Sequence, residues 1–495
     1  MLDAGFKPDF PAEVIREVHA FKQKGNGGAD RSSGGGLKPA LRAEDRLKPE
    51  LPAELQARDL RGLLWSSIDN DSSRDLDQVE YAEKLSDGTV RLLVGIADVD
   101  GAVASGSATD QHAAAETSSV YTGVMTFPML PDELSTDLTS LVNGQERLSL
   151  IIELRVQDSG EVTCHDLYPA RLRNAAKLAY SSTGAWLEGR GPMPPVVGST
   201  PGLEAQLRLQ QETSEKLRGI RKQHGALTFG SIEATPVVED GEVKDLTIRQ
   251  HNVAEEIIEG FMVAANVAMA QHLKDKGSLS LRRVVRTPKR WDRIVAIAAQ
   301  FGVKLPPTPD PRALSAFLEQ RKAADPVHFP DLSLSIVKLL GPGEYIVESP
   351  GAQQEGHFGL AVHDYTHATA PNRRYADLVT QRLLKTTIAG GPKPYSQTEL
   401  SAIAARCTER EDAARKVERL MRKVAAASLL RRRVGEVFDG VVTGASVKGT
   451  YVRLLRFPAE GRVVRGMKGI DVGDRVQVCL ISVDVEKGFI DFERV

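Results

Sequence analysis

Four aspartates crowd a short segment that follows the apolar run GLLWSSI. These are Asp69, Asp71, Asp75 and Asp77, which lie within nine residues. Carboxylates held this close repel one another unless a cation neutralises them or solvent screens them. Hard divalent cations such as Mg²⁺ prefer oxygen ligands and keep open positions for water and substrate phosphates. The cluster therefore predicts either a metal site for phosphodiester chemistry or a solvated acidic loop, and its spacing does not match an EF-hand.

A second polar cluster occupies residues 356–384. It combines three histidines, three arginines and two tyrosines: His357, His363, His367, Arg373, Arg374, Arg382, Tyr365 and Tyr375. Pro371 predicts a turn before a helix, with Arg373 and Arg374 near the helix start. Helix N-termini attract anions and arginine binds phosphate bidentately, so this pair is a candidate phosphate site. The alternative is an arginine pair that serves structural carboxylates, and the histidines lack zinc-site spacing.

A third candidate region, residues 119–141, contains an aromatic residue that could stack on a base. We expect Tyr121 to be open and Phe127, Met129 and Leu130 to lie in the core. Two basic stretches accompany it. Residues 281–293 contain six Lys/Arg, and residues 406–433 contain ten against four acidic residues. Such runs indicate either a nucleic-acid track or a solvated helix face.

The elements that position these residues predict an α+β fold. Strand patterns dominate residues 59–170, and helical periodicity follows at 203–225, 253–275, 291–301, 312–322, 332–339 and 397–430. Residues 434–495 show evenly spaced short strands typical of a small barrel. Residues 1–58 combine a helix that presents Val14, Ile15, Val18 and Phe21, a Gly-rich stretch at 25–36 and a short helix at 38–45. We therefore divide the chain into 1–58, 59–433 and 434–495.

Composition narrows the class of protein. The chain has 495 residues, 41% hydrophobic and 26% charged, with a formal net charge of −2. No apolar run approaches the roughly 20 residues of a membrane span, and no signal sequence is evident. Three scattered cysteines argue against a disulfide framework and favour a reducing cytoplasm. Any nucleic acid must therefore meet a local basic channel, because the chain is not a bulk polycation.

Several ordered blocks resemble the ribonuclease II / RNB exoribonucleases. They are SSIDNDSSRDLDQ, VGIADV, FPMLPDELSTDLTSL, AEEIIEGFMVAAN, GHFGLA and TAPNRRYADLVTQRLL, and the resemblance covers about residues 59–430. Residues 434–495 resemble an S1 RNA-binding domain, an OB-type barrel. Members usually carry cold-shock domains in front, for which residues 1–58 are too short. That region is either a helix-turn-helix-like cap or a helical lid on the core.

The resemblance assigns roles to individual residues. The family's acidic signature has four aspartates, of which Asp69, Asp75 and Asp77 are present as catalytic metal ligands, while the fourth position is Gln78, a weaker ligand. The remaining assignments are RNA contacts: Arg373 as the phosphate clamp beside Arg374, Tyr121 on the terminal nucleotide, and Phe438 and Tyr451 on the S1 domain. The family's second stacking aromatic is not assigned, because the block around GSLSLRRV offers only Leu279. Asn372 replaces an apolar residue of the family pattern.

The resemblance implies a processive 3′-to-5′ exoribonuclease that hydrolyses single-stranded RNA to nucleoside 5′-monophosphates. The implied cofactor is Mg²⁺, with Mn²⁺ as the other candidate. We expect a cytoplasmic monomer with no membrane or disulfide partner. One alternative is an RNA-binding regulator whose catalysis is weakened or lost through Gln78. Another is a metal phosphoesterase for small nucleotides, which would need neither an S1 domain nor a basic helix.

Overall fold

The computed structural model describes residues 1–26, 57–230, 233–239, 242–249, 251–352, 356–446 and 449–495. The short helix expected at 38–45, and the Gly-rich stretch beyond residue 26, lie outside the described residues. The helices are α1 Ala12–Asn26, α2 Ala108–Glu116, α3 Tyr180–Leu187, α4 Pro195–Ser199, α5 Leu203–His224, α6 Val253–Asp275, α7 Trp291–Gln300, α8 Pro311–Ala324, α9 Phe329–Leu340, α10 Tyr375–Ala389 and α11 Gln397–Leu430.

The strands fall into several sheets. They are β1 Arg58–Asp59, β2 Trp65–Asp69, β3 Gln78–Lys84, β4 Val90–Ala97, β5 Val120–Tyr121, β6 Thr126–Phe127, β7 Glu146–Val156, β8 Val162–Ala179, β9 Glu233–Glu239, β10 Glu242–Arg249, β11 Ser280–Val284, β12 Glu344–Glu348, β13 Val437–Ser446, β14 Gly449–Leu454, β15 Glu460–Arg465, β16 Arg475–Asp484 and β17 Phe489–Arg494. The α+β fold expected from the sequence is confirmed.

The central sheet has the order β1-β8-β2-β3-β4-β7, and β7 also pairs with β8. These pairings form a ring whose apolar side chains, among them Trp65, Leu92 and Ile151, pack in the main core. Strand β8 is much longer than the sequence pattern predicts. The acidic segment forms the connection between β2 and β3, which run antiparallel with Ser66 opposite Glu80. The sheet therefore fixes both ends of the acidic loop.

Helix α6 is buried against the central sheet, as its apolar pattern predicts. Its N-terminus carries a capping box in which the Asn252 side chain accepts from the backbone amides of Ala254 and Glu255. Phe261 and Ala265 belong to the main core. The helix is thus held at one end by a specific cap and along its length by packing.

The five C-terminal strands form a closed barrel in the order β13-β14-β15-β17-β16. Val452, Val478 and Phe492 fill its interior, and Ala427 and Leu430 from the end of α11 join the same core. The long helix predicted at 397–430 therefore leads directly into the barrel and packs against it.

Helix α1 packs against α2 and contributes Val18 to the main core. Val14 and Val18 are buried, whereas Ile15 is 38% exposed, so the expectation that Ile15 shares the buried face is wrong. The Glu17 carboxylate accepts from the amides of Ala108 and Thr109, at 2.9 and 2.8 Å, at the start of α2. Across the described residues, no helix combines the length and apolarity that crossing a membrane requires.

Candidate active site

Asp77 is the most buried carboxylate of the acidic loop, with 1% of its surface exposed. Its Oδ1 accepts from the backbone amide of Asn372 at 2.9 Å, and its Oδ2 accepts from Nε of Arg373 at 3.3 Å. Burial raises the pKa of Asp77 to about 7, although Arg373 and the Asn372 amide act in the opposite direction. The loop before α10 and the acidic loop thus meet at this side chain.

Asp69 closes β2, where Gln78 at the start of β3 faces it. Nε2 of Gln78 donates to Oδ1 of Asp69 at 3.3 Å, while Oδ2 of Asp69 is buried without a hydrogen-bond partner. Burial raises the pKa of Asp69 to about 6, the Gln78 bond and Arg373 lower it, and the charge of Asp75 adds to the rise. Gln78 therefore occupies the expected fourth position and contacts an acidic residue of the signature.

Asp75 and Asp71 have different surroundings. The Tyr121 hydroxyl donates to Oδ2 of Asp75 at 3.2 Å, which joins the predicted stacking residue to the acidic loop. Asp71 is exposed, and its two carboxylate oxygens accept from the Ser181 hydroxyl at 2.9 and 3.0 Å. Asp71 is therefore held at the surface by Ser181.

Hydrogen bonds from Asp377 and Thr139 hold the loop that carries Arg373 and Arg374. Oδ1 of Asp377, in the first turn of α10, accepts from the Ala370 amide at 2.8 Å and from Nη2 of Arg374 at 2.8 Å. Oδ1 of Asn372 accepts from the Thr139 hydroxyl at 2.6 Å, which gives the polar residue at this family position a buried partner. Arg374 is the residue before α10, as the sequence predicts.

A cavity of about 150 Å³ adjoins this loop. It is lined by eleven residues, among them Tyr121, Arg373, Arg374, Tyr345 and His367. The Tyr345 hydroxyl lies 2.8 Å from Nδ1 of His367, and the Arg283 guanidinium stands 4.8 Å from the centre of the Tyr345 ring. Burial and the neighbouring arginines lower the pKa of His367, so the ring is neutral.

Sequence reasoning missed Tyr345 and left the family's second stacking aromatic unassigned, because the block around GSLSLRRV offers only Leu279. Leu279 is 8% exposed and lines a different cavity with Tyr395 and Lys393. Tyr345 lies on β12, and only the antiparallel pairing of β11 with β12 brings it to the cavity. Its one sequence signal is a tyrosine in the run GEYIVE, which is an ordinary strand pattern.

The two residues predicted to contact RNA on the S1 domain, Phe438 and Tyr451, differ in exposure. Phe438 is 6% exposed and packs edge-on against Phe457, with ring centroids 6.3 Å apart, so its assignment as an RNA contact is corrected to a core role. Tyr451 is 37% exposed on β14 and remains available to a ligand.

The prediction that residues 281–293 form a basic track or a solvated face is wrong for Arg282 and Arg283, because both side chains are buried in ion pairs. Arg282 is 1% exposed and contacts Glu348 and Asp364 at 3.0 and 2.7 Å. Arg283 is 5% exposed and contacts Glu411 at 2.7 Å. These two side chains hold β11 to its neighbours and cannot form an open track for RNA.

Within the described parts of the chain, no three His, Cys, Asp or Glu side chains stand close enough to hold a metal ion. The donor chemistry nevertheless fits a hard cation. Oδ2 of Asp69 and both carboxylate oxygens of Glu80 are buried without partners, and burial raises the pKa of Glu80 well above its usual range. Unpaired buried carboxylates are costly, and a divalent cation would relieve that cost.

The described residues combine an α+β core, a closed five-stranded barrel and a buried acidic loop beside an arginine-lined cavity. The RNB domain family matches residues 57–390, and the RNase II-type exonuclease C-terminal S1 domain matches residues 436–495. The chain belongs to the RNB family.

Named relatives agree with this assignment. Ribonuclease R of Thermotoga maritima is 29% identical over 98% of this chain and 68% of that protein. Ribonuclease R of Escherichia coli is 29% identical over 90% of this chain and 58% of that protein. The apo form of Mycoplasma genitalium RNase R has a TM-score of 0.83 and 23% identity, with 100% of this chain and 77% of that chain covered. Yeast Ssd1, described as a pseudonuclease, has a TM-score of 0.67 and 18% identity over 95% of this chain and 59% of that chain.

Proposed function

We propose that this protein is an exoribonuclease that degrades single-stranded RNA from the 3′ end and releases nucleoside 5′-monophosphates. One observation carries the proposal: Arg373 contacts Asp77 and Tyr121 contacts Asp75. A phosphate-binding cation and a base-stacking ring therefore both adjoin the acidic loop. Membership of the RNB family and relatives named Ribonuclease R support this reading.

Asp69, Asp75 and Asp77 would hold the divalent cation, with the amide oxygen of Gln78 as a weaker ligand. Bound Mg²⁺ or Mn²⁺ would activate water and offset charge on the scissile phosphate. The three carboxylates must be charged for this role, and the raised pKa values of Asp69 and Asp77 mean that metal competes with protons there.

Arg373 contributes transition-state stabilisation. Its side chain is 44% exposed and makes a 3.3 Å contact with Asp77, so it can turn towards a phosphate. A guanidinium beside the scissile group stabilises charge that grows on the phosphate oxygens during attack. Arg374 forms an ion pair with Asp377 at 2.8 Å. It would therefore stabilise the loop before α10 and add positive charge to the cavity.

Tyr121 and Tyr345 line one cavity and would hold the terminal nucleotide. Stacking between aromatic rings fits any base, which suits an enzyme that degrades RNA of any sequence. RNA would reach this cavity past the barrel, where Tyr451 is exposed.

The test is a product assay on three substrates of equal length: single-stranded RNA, duplex RNA and single-stranded DNA. We expect nucleoside 5′-monophosphates from single-stranded RNA with Mg²⁺ or Mn²⁺, no products with EDTA, and little product from DNA or blunt duplex. A label at the 5′ end should remain in a short final fragment. Release of that label as a mononucleotide at early times would contradict the 3′-to-5′ direction.

A second candidate is an RNA-binding regulator with an inactive RNB fold. Gln78 at an acidic-signature position favours it, and the likeness to yeast Ssd1 shows that this fold also occurs in a protein described as a pseudonuclease. Tight RNA binding without any mononucleotide product, with both metals tried, would support this candidate over the exoribonuclease.

A further inference from the structure

Glu80 is a buried carboxylate with no hydrogen-bond partner. It lies on β3 with 0% of its surface exposed, and neither Oε1 nor Oε2 has a partner. Ser66, its cross-strand neighbour on β2, is also fully buried, and its hydroxyl is unpartnered. An unpaired carboxyl group in a protein interior is costly, so its presence here calls for a ligand.

The position of Glu80 relates it to the acidic signature. Alternate residues of a strand share a face, so Glu80 lies on the same face as Gln78. Gln78 reaches Asp69 through its amide, and the charge of Asp69 also acts on Glu80. The charges of Asp69 and Glu80 both raise the pKa of Tyr180, at the start of α3. Glu80 therefore faces the Asp69 end of the site.

Asp69 supplies an independent observation. Its Oδ2 is buried and unpartnered, although Oδ1 receives the Gln78 amide. Two acidic side chains from neighbouring strands thus leave three buried oxygen atoms unsatisfied in one region. Hard divalent cations bind such oxygen sets.

We propose that Glu80 supplies the carboxylate that Gln78 lacks and, together with Asp69, holds a divalent cation in the acidic site. Residues two apart on a strand are separated by roughly 6.6 Å along it. The glutamate side chain is one methylene longer than that of aspartate, so the Glu80 carboxylate reaches further towards Asp69. Nε2 of Gln78 donates to Oδ1 of Asp69, and its amide oxygen would complete the ligand set once the cation is bound. This inference rests on the proposed function.

The test counts bound metal and needs no turnover. Mn²⁺ binding is measured by electron paramagnetic resonance of the free ion and by calorimetry for wild type, Glu80→Gln and the control Asp71→Asn. Even outer partners of metal ligands change affinity 10–100-fold, so Glu80→Gln should weaken Mn²⁺ binding by at least about tenfold. Asp71→Asn should bind Mn²⁺ like the wild type, because Asp71 is exposed and bonded to Ser181.

A rescue variant separates a metal ligand from a merely structural residue. Gln78→Asp/Glu80→Gln returns a carboxylate to the family position and should restore Mn²⁺ binding. If Glu80→Gln does not fold, Glu80→Leu and Gln78→Asp/Glu80→Leu replace the pair, since leucine suits a buried site. Wild-type Mn²⁺ affinity in the variant at position 80, or a failure of Asp at position 78 to restore binding, would overturn the proposal.

These outcomes are separate from those of the proposed function. Loss of Mn²⁺ from Glu80→Gln in a protein that never cleaves RNA would overturn the exoribonuclease proposal and leave this inference standing. If the protein is an active exoribonuclease and Glu80→Gln leaves its Mn²⁺ affinity unchanged, this inference is overturned and the exoribonuclease proposal stands.

Discussion

Arg373 and Arg382 belong to one segment of the chain and have opposite surroundings. Arg382 is 4% exposed and donates to Asp100 at 3.0 Å and to Asp110, Tyr395 and the Val103 carbonyl at 2.8 Å each. Arg373 is 44% exposed, and its carboxylate contact is a 3.3 Å bond to Asp77. The difference separates a cation that stabilises the fold from one that is available to a substrate.

Carboxylates near the two arginine sites show a similar contrast. Asp110 is buried with Arg382 on one oxygen and the Gly106 amide on the other. By contrast, Oδ2 of Asp69 and both carboxylate oxygens of Glu80 are buried and have no hydrogen-bond partner. The saturated charges around Arg382 are typical of a structural network, whereas the unpartnered oxygens of Asp69 and Glu80 adjoin the acidic loop and make that region a candidate ligand site.

After the loss of Asp77 itself, the largest expected effect on catalysis is at Arg373. Arg373→Ala should reduce single-turnover RNA hydrolysis by about 10²–10³-fold, the range for loss of one transition-state donor. The urea midpoint should change little, because the side chain is partly exposed. A variant that keeps its turnover would show that the phosphate is bound elsewhere.

Arg382→Ala should produce the opposite result. Removal of one partner from a buried ion pair costs about 3–5 kcal/mol, so the urea midpoint should fall clearly. Mn²⁺ affinity of the remaining folded protein should stay at the wild-type level. If Arg382→Ala unfolded no more easily than Arg373→Ala, the distinction between the two arginines would fail.

A third prediction concerns pH. The pKa of Asp77 is about 7 in the folded protein and about 3.9 in an unfolded chain, so the folded state binds more protons between these values. Stability therefore falls as pH rises from 4 to 7 without metal. Metal-free Asp77→Asn should gain about 2–4 kcal/mol over the wild type by pH 8, and none at pH 3. A difference in unfolding free energy that did not vary with pH would contradict the raised pKa.

The smallest expected effect is at Tyr121. Tyr121→Ala should weaken binding of short RNA by about 1–3 kcal/mol and change the length of the final fragment, because a stacking ring is lost. Tyr121→Phe keeps the ring and loses only the bond to Asp75, so it should leave fragment length unchanged. Equal effects of both variants would assign the role to the hydroxyl.

The sequence predicted what is local. The acidic loop, the arginines before α10 and most of the helices from α5 to α11 follow from short patterns of charge and periodicity, whereas helix α2 and strands β9 to β12 were not predicted. The site at Tyr345 could not be predicted, because it depends on a pairing between strands some sixty residues apart. Phe438 was misassigned since strand alternation alone does not say which face of a barrel points inward. Arg282 and Arg283 resembled a basic track because their partners, Glu348, Asp364 and Glu411, are distant in sequence.

The central claim is that the buried acidic loop performs RNA hydrolysis. The most direct measurement is single-turnover cleavage of single-stranded RNA by Asp77→Asn beside Asp71→Asn, with RNA affinity measured by fluorescence anisotropy. The account predicts that Asp77→Asn binds RNA but releases no mononucleotide, while Asp71→Asn cleaves at nearly the wild-type rate. Equal cleavage by the two variants would contradict it.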